Sequence, residues 1–168
     1  MFNFFEKKKK EEPISMMENS LFAPVSGRVI PVTEVADPVF SQKMMGDGYA
    51  VIPDDGDIYS PVNGIVLSVF PTKHAIGIKL EDGIEVLIHM GLDTVEMNGK
   101  PFECHVQKGD KVTSETKIAT CDLEALAEAG KDNAIVVVIT NMDKVKNYEL
   151  TVEGQAKAKQ VIGTVRHK

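Results

Sequence analysis

Two histidines, His74 and His89, are the residues whose type and spacing most suggest chemistry in this sequence. His89 lies near the end of the apolar run "IEVLIHM", and His74 opens the run "HAIGIKL". Asp82 and Gly83 lie between the two runs and are typical of a tight turn. The pattern therefore predicts that the two runs form the strands of a β-hairpin.

The length of that turn decides which residues face each other. A turn with an even number of residues places His89 opposite Ile76 and His74 opposite Gly91, and all four side chains then share one face. His74 and His89 become diagonal neighbours with Cα atoms roughly 7–8 Å apart, close enough for their rings to approach. An odd turn or a bulge would break this register.

Alternation along the second strand assigns its two faces. Val86, Ile88 and Met90 form an apolar side that we expect in the core, while Leu87 and His89 point the other way. We therefore predict His89 on the outer face of the sheet, within an apolar patch.

Two converging imidazoles, with Thr72 and Asp93 nearby in the sequence, suit two kinds of chemistry. A neutral imidazole nitrogen is a nucleophile near pH 7, so it could carry a phosphoryl group while the second histidine and the threonine hydroxyl donate to the phosphoryl oxygens. Alternatively, His74 and His89 could bind zinc. Two ligands are incomplete for zinc, so Asp93 or a partner protein would have to complete the site.

The remaining sequence predicts an all-β fold. Residues 21–32, "LFAPVSGRVIPV", and 58–70, "IYSPVNGIVLSVF", repeat one pattern in which Pro starts a strand and Gly marks a bulge or turn. Many short strands between turn signals predict an antiparallel β-sandwich or barrel with this duplicated hairpin motif and one or two short helices. The clearest helix signal is "DLEALAEAGK", which Asp122 can cap and Gly130 can end.

The composition fits a single folded domain. The chain has 168 residues, of which 43% are hydrophobic and 26% charged. A formal net charge of −6 argues against nucleic acid as a partner. The sequence shows neither a run long enough for a transmembrane helix nor a signal peptide, so we expect a cytoplasmic protein.

The first residues differ from the rest. We expect residues 1–19 to form a flexible tail and residues 20–168 to form the domain. In the tail, a phenylalanine-rich start precedes Lys7–Lys10. A weak contact of this tail with a membrane surface is the alternative interpretation.

Several ordered segments resemble the glucose-family enzyme IIA of the phosphoenolpyruvate-dependent sugar phosphotransferase system. They are "PVFSQKMMGDGYAVIP" (38–53), "FPTKHAIGI" (70–78), "VLIHMGLDTVEMNG" (86–99) and "VVVITNMD" (136–143). The resemblance runs from about residue 20 to 166. It implies a free-standing β-sandwich component that acts as a phosphotransferase through a covalent phosphohistidine and requires no cofactor.

The resemblance also implies roles for individual residues. His89 falls on the phosphorylated histidine, and His74 on a second histidine that is needed to pass the group on. Thr72 falls on a residue that hydrogen-bonds near this second histidine, and Asp93 on an acidic residue flanking the site. An apolar ring is expected to dock partners, although apolar residues of this kind could also be core. Its members are Val39, Phe40, Met44, Met45 and Phe70, with Leu87 and Met90 standing where the family often has Phe.

The implied partners are proteins. The donor would be the histidine-containing phosphocarrier protein, and the acceptor would be a cysteine of an enzyme IIB domain coupled to a IIC sugar permease. Some relatives of this kind also regulate transporters or kinases. We expect a monomer, because one face must meet two partners in turn.

Two alternatives remain from the residues themselves. A lipoyl or biotinyl carrier module has similar hairpins and would use a lysine such as Lys43, but it is about half this length. A zinc-dependent hydrolase of related architecture would need an H-x-H pair and an H-x-x-x-D segment. His89 is followed two residues on by Gly91, and His74 is followed four residues on by Ile78, so His89 begins no H-x-H pair and His74 begins no H-x-x-x-D segment.

Overall fold

The computed structural model describes residues 18–168. The proposed membrane contact of the tail therefore lies outside the described residues, as does most of the tail itself. The first described strand runs from Glu18 to Phe22, so residues 18 and 19, which we assigned to the tail, lie in a strand. Residues 18 and 19 pair antiparallel with Arg166 and Val165, and the Asn19 Nδ2 atom also donates to the Asp82 carboxylate at 2.7 Å.

The predicted all-β architecture is confirmed, since every strand pairing in the described part of the chain is antiparallel. The strands are β1 (Glu18–Phe22), β2 (Gly27–Pro31), β3 (Gly48–Pro53), β4 (Asp57–Tyr59), β5 (Gly64–Val69), β6 (Ala75–Lys79), β7 (Glu85–Met90), β8 (Phe102–Cys104), β9 (Lys111–Val112), β10 (Lys117–Cys121), β11 (Ile135–Ile139), β12 (Val145–Leu150), β13 (Gly154–Ala156) and β14 (Val161–His167). The largest sheet has eight strands in the order β13-β2-β3-β11-β7-β6-β5-β9, and two three-stranded sheets complete the fold.

Within residues 18–168, two short α-helices accompany the sheets, as predicted. Helix α1 (Pro38–Ser41) begins at Asp37, whose carboxylate accepts the Val39 N–H, with Pro in the first turn. Helix α2 (Leu123–Glu128) begins at Asp122, the predicted cap. Among the described residues, no helix combines the length and the apolar character needed to cross a membrane.

The duplicated motif packs against itself with equivalent contacts. The Phe22 N–H donates to the Pro61 carbonyl at 2.8 Å, and the Tyr59 N–H donates to the Pro24 carbonyl at 2.7 Å. Phe22 and Tyr59 occupy the same position of the repeat, as do the two prolines. Each copy continues into a hairpin of the large sheet, β2–β3 in the first and β5–β6 in the second.

The large sheet buries apolar residues on both of its faces. Val86, Ile88 and Met90 lie in the main core, as predicted. The opposite face is covered by the segment between β2 and β3, residues 32–47, which includes α1. The residues buried there form what we call the outer cluster: Ile30, Val32, Val35, Phe40, Ala50, Ala75, Leu87, Leu92, Ala134, Val136 and Val138.

Candidate functional site

The imidazole rings of His74 and His89 meet at the edge of the outer cluster. Their centroids are 4.9 Å apart and their planes are inclined by 73°. His89 lies near the end of β7, half-buried, while His74 lies just before β6 and is 7% exposed. The structure therefore brings together the two residues that the sequence singled out.

The predicted register of the hairpin is wrong by one residue. His89 lies opposite Ala75, and Ile76 lies opposite Ile88. The turn contains three residues, since the Leu80 N–H donates to the Ile84 carbonyl and the Gly83 N–H donates to the Leu80 carbonyl. An odd turn shifts every pair relative to the even turn that we assumed.

His74 reaches His89 because the chain leaves the regular strand conformation just before β6. The Met90 N–H donates to the His74 carbonyl at 2.7 Å, so the two residues lie opposite each other. In an undisturbed strand His74 would therefore point into the main core, as Met90 does. Lys73 instead has a φ of +57°, and β6 starts only at Ala75. The ring of His74 lies between His89 and Phe70, with its centroid 5.4 Å from that of Phe70.

A backbone hydrogen bond fixes the proton position on His89. Its Nδ1 atom lies 2.7 Å from the Gly91 carbonyl oxygen. A carbonyl oxygen only accepts hydrogen bonds, so Nδ1 carries the proton. In the neutral ring the lone pair is then on Nε2, which is the nucleophilic atom.

The electrostatic surroundings keep this ring neutral. Burial is the main cause that lowers the pKa of His89, and the nearby His74 lowers it further. The Gly91 carbonyl and the charges of Asp37 and Asp93 act in the opposite direction. Burial also lowers the pKa of His74. Both imidazoles are therefore predominantly neutral near pH 7.

Thr72 and Asp93 occupy different positions relative to the pair. The Thr72 Oγ1 atom lies 2.5 Å from Nδ1 of His74, so the threonine orients that ring directly. Asp93 is exposed at a φ of +57° and acts on His89 through its charge. Sequence reasoning missed Asp37, which acts on His89 in the same way, although the Asp-Pro start of α1 was a readable signal.

The predicted apolar ring divides into buried and exposed members. Phe40 is buried, with its ring centroid 5.1 Å from that of His89, and Leu87 is buried in the outer cluster. Met90 is 0% exposed and belongs to the main core, so its predicted docking role is wrong. Leu87 likewise offers no surface for docking, because the 32–47 segment covers it. Met45 is half-buried against the outer cluster.

Four apolar side chains on the segments that carry or flank the site residues are exposed, and we call them the docking surface after the role predicted for the apolar ring. They are Val39 (41% exposed), Met44 (70%), Phe70 (38%) and Val95 (49%). Val95 was not predicted. It belongs to a 3₁₀ turn, Thr94–Met97, that directly follows Asp93. The sequence signal that could have identified it was an apolar residue two positions after Asp93.

A groove of about 460 Å³ adjoins the site on the Asp93 side. Asp37, Asp93 and Asp132 line it together with Lys131, whose ammonium group pairs with Glu96. The groove is therefore mainly acidic. Among the described residues, no three His, Cys, Asp or Glu side chains cluster closely enough to hold a metal ion, so Asp93 does not complete a zinc site.

A neutral, oriented imidazole with an exposed apolar rim is suited to a carrier protein, which must offer one nucleophilic atom to more than one partner. Comparison with known proteins defines the class further. Residues 19–145 match the family model described as "phosphoenolpyruvate-dependent sugar phosphotransferase system, EIIA 1". The chain belongs to this family and is a phosphocarrier component of the sugar phosphotransferase system, which confirms the family resemblance.

Individual relatives cover the same domain. The glucose-specific EIIA component of Halalkalibacterium halodurans is 44% identical over 153 residues, which cover 91% of this chain and 88% of that protein. The glucose-specific EIICBA component of Streptococcus pneumoniae is 48% identical over 149 residues, which cover 89% of this chain but 20% of that protein. This chain thus spans about a fifth of the longer relative.

A solved structure shares the fold. Glucose permease IIA from Mycoplasma capricolum superposes with a TM-score of 0.81 at 36% sequence identity. The superposition covers 88% of this chain and 96% of that one. The antiparallel β-sandwich is therefore common to both proteins.

Proposed function

We propose that the Nε2 atom of His89 carries a phosphoryl group between two partner proteins. The observation that supports this most strongly is the 2.7 Å hydrogen bond between His89 Nδ1 and the Gly91 carbonyl oxygen, because it leaves the Nε2 lone pair free. Burial adds to this effect by lowering the pKa of the ring, which keeps it nucleophilic near neutral pH.

Each transfer exchanges one bond to phosphorus for another. In the first, His89 Nε2 attacks the phosphohistidine of the histidine-containing phosphocarrier protein. A P–N bond forms on His89 while the donor's P–N bond breaks, and the donor imidazole keeps that electron pair. In the second, the thiolate of an enzyme IIB cysteine attacks the phosphorus. A P–S bond forms, and His89 Nε2 recovers its lone pair.

His74 and Thr72 stabilise the transferring group. When the Thr72 hydroxyl donates to His74 Nδ1, the neutral His74 ring carries its proton on Nε2. That N–H can donate to a phosphoryl oxygen, where negative charge is concentrated during transfer. The contact between the two rings supports this role, and we assign His74 mainly to the second transfer.

The docking surface would receive both partners. Its apolar side chains exclude water when covered, which protects the labile P–N bond. Methionine suits a surface that must accept different partners, and Met44 is its most exposed member. The acidic groove favours partners with basic side chains beside their reactive residue.

Any transporter or kinase regulated by the phosphorylation state would use the same face. We further infer a cytoplasmic monomer.

Zinc is a second proposed ligand of the same pair. Nε2 of His89 is free to bind a metal, and His74 lies against it. Carboxylates of a partner protein would have to supply the remaining zinc ligands. Zinc and phosphate would compete for Nε2, so phosphorylated protein should bind zinc more weakly in a calorimetric titration than unphosphorylated protein. Equal affinities would contradict a shared site.

Phosphorylation by purified partners tests the proposed function. The protein is mixed with phosphoenolpyruvate, enzyme I and the phosphocarrier protein, with each partner withheld in turn. Wild type should gain one acid-labile phosphate, and His89→Ala should gain none. His105→Ala is the matched control, since His105 is exposed and bonded to Thr120 at 2.8 Å, away from the pair. Equal labelling of wild type and His89→Ala would show that His89 is not the acceptor.

The second transfer is tested with the same preparation. His74→Gln should accept phosphate but fail to pass it to an enzyme IIB domain. Loss of acceptance in this variant would overturn the division of roles between the two histidines.

A further inference from the structure

We infer that the buried hydroxyl of Thr94 is a positioning group that determines which nitrogen of His89 is free to react, an inference that rests on the proposed phosphocarrier function. Thr94 is 0% exposed, and its Oγ1 atom donates to the Met90 carbonyl at 2.6 Å. Met90 lies between His89 and Gly91, whose carbonyl accepts the His89 Nδ1 proton. The threonine therefore fixes the peptide unit that precedes the accepting residue.

The loop that follows β7 has an unusual backbone conformation. Gly91 has a φ of +75° and Asp93 a φ of +57°, both in the left-handed region. The Gly91 N–H donates to the Ala134 carbonyl at 2.8 Å, and the Leu92 N–H donates to the Asp132 carbonyl at 3.0 Å. These bonds satisfy the N–H groups of Gly91 and Leu92, while the Gly91 carbonyl faces the His89 ring.

Thr94 contacts this loop with both branches of its side chain. Its hydroxyl holds the Met90 carbonyl, while its Cγ2 methyl lies so close to Gly91 that an added Cβ at position 91 would be 2.5 Å from it. The same Cβ would be 2.9 Å from the Asp132 carbonyl oxygen. This conformation of the loop therefore leaves no room for a side chain at position 91, and in it the Gly91 carbonyl oxygen lies 2.7 Å from His89 Nδ1.

The consequence concerns the tautomer of His89. Without a fixed acceptor at Nδ1, a neutral imidazole places its proton on either nitrogen. A proton on Nε2 would occupy the atom that must attack phosphorus. Thr94 thus acts through Gly91, without touching the phosphoryl group, by keeping the proton on Nδ1.

Nitrogen-15 NMR of the histidine rings tests this inference. Wild-type His89 should carry its proton on Nδ1. In Thr94→Val, which keeps the shape but lacks the hydroxyl, the tautomer ratio should shift toward Nε2–H by about tenfold, the effect of losing one ordinary hydrogen bond. The pKa of His89 should also fall, since the Gly91 contact raises it. Thr94→Ser, which keeps the hydroxyl, should resemble wild type in both respects.

Thr94→Ala removes the hydroxyl together with the Cγ2 methyl, and it must show the same shift if Thr94→Val does not fold. A wild-type ring protonated on Nε2, or wild-type tautomer ratios in the hydroxyl-free variants, would overturn the inference. The spectra need no partner protein, so they are independent of whether the phosphocarrier function is correct. If both are correct, Thr94→Val should accept phosphate more slowly at an unchanged KM for the donor.

Discussion

Two methionines of the predicted docking ring give a sharp test, because the structure assigns them opposite environments. Met90 is fully buried in the main core, opposite Ile135 of β11. Met44 follows α1 and is 70% exposed. Met90→Ala and Met44→Ala remove the same atoms, so each variant is the matched control of the other.

The expected effects differ in kind. Truncating a buried methionine costs about 2–5 kcal/mol of unfolding free energy, which lowers Tm by roughly 4–20 °C for a domain of this size. Truncating Met44 should change stability by less than about 0.5 kcal/mol. If Met44 contacts the donor, its loss should weaken binding by about 1 kcal/mol, which corresponds to a roughly fivefold rise in KM.

Urea unfolding measures the first quantity, and initial rates at increasing concentrations of phosphorylated donor measure the second. Met90→Ala should lose stability and keep its KM under conditions where it is folded, while Met44→Ala should do the reverse. A stability loss in Met44→Ala as large as that in Met90→Ala would refute the assignment of faces. An unchanged KM in Met44→Ala would remove Met44 from the docking surface.

Three further outcomes are expected. Burial lowers the pKa of His89, so its NMR titration midpoint should fall below about 6.5, and a midpoint at or above 6.5 would contradict this. The stability that this group contributes should be complete above about pH 6.5. It should decline as the pH falls toward the folded-state pKa, because the unfolded chain binds the proton more readily than the folded chain. Thr72→Val should slow the transfer from His89 to enzyme IIB by about tenfold through loss of the hydrogen bond to His74, and Thr72→Ser should restore it; equal rates in all three proteins would show that the hydroxyl does not orient the ring. Asp122→Ala should lower the free energy of unfolding in urea by about 1 kcal/mol, because the Ala125 N–H loses its hydrogen bond to the capping carboxylate of α2. The rate of phosphoryl transfer should not change, and a slower transfer would mean that α2 is coupled to the site.

The sequence predicted local patterns better than it predicted pairing between strands. Alternation within β7 assigned Val86, Ile88 and Met90 to the core correctly, because it requires no knowledge of a neighbouring strand. The register of β6 against β7 depends on the turn around Asp82, and "EDG" is compatible with both an even and an odd turn. The odd turn of the structure moved every pair by one residue.

We expected His74 to approach His89 because an even turn would make them diagonal neighbours, but the turn in the structure has three residues. The rings meet because the left-handed conformation of Lys73 redirects the chain before β6. Nothing in the residue type predicts this conformation, since lysine does not favour positive φ. Similarly, alternation placed Leu87 on the outer face, but it could not show that the 32–47 segment folds back and covers that face. Such contacts depend on tertiary packing.

The duplicated hairpin allows the two halves of the site to diverge separately. The connection inside the second copy, residues 70–74, is short and carries Phe70, Thr72 and His74, whereas the equivalent connection in the first copy is the longer 32–47 segment, which carries Val39, Phe40 and Met44. Both connections contact His89, the first through the ring of Phe40 and the second through the ring of His74. In the proposed carrier, the longer connection can therefore change in length and sequence to suit a different partner, while the shorter one keeps the hydrogen bond between Thr72 and His74.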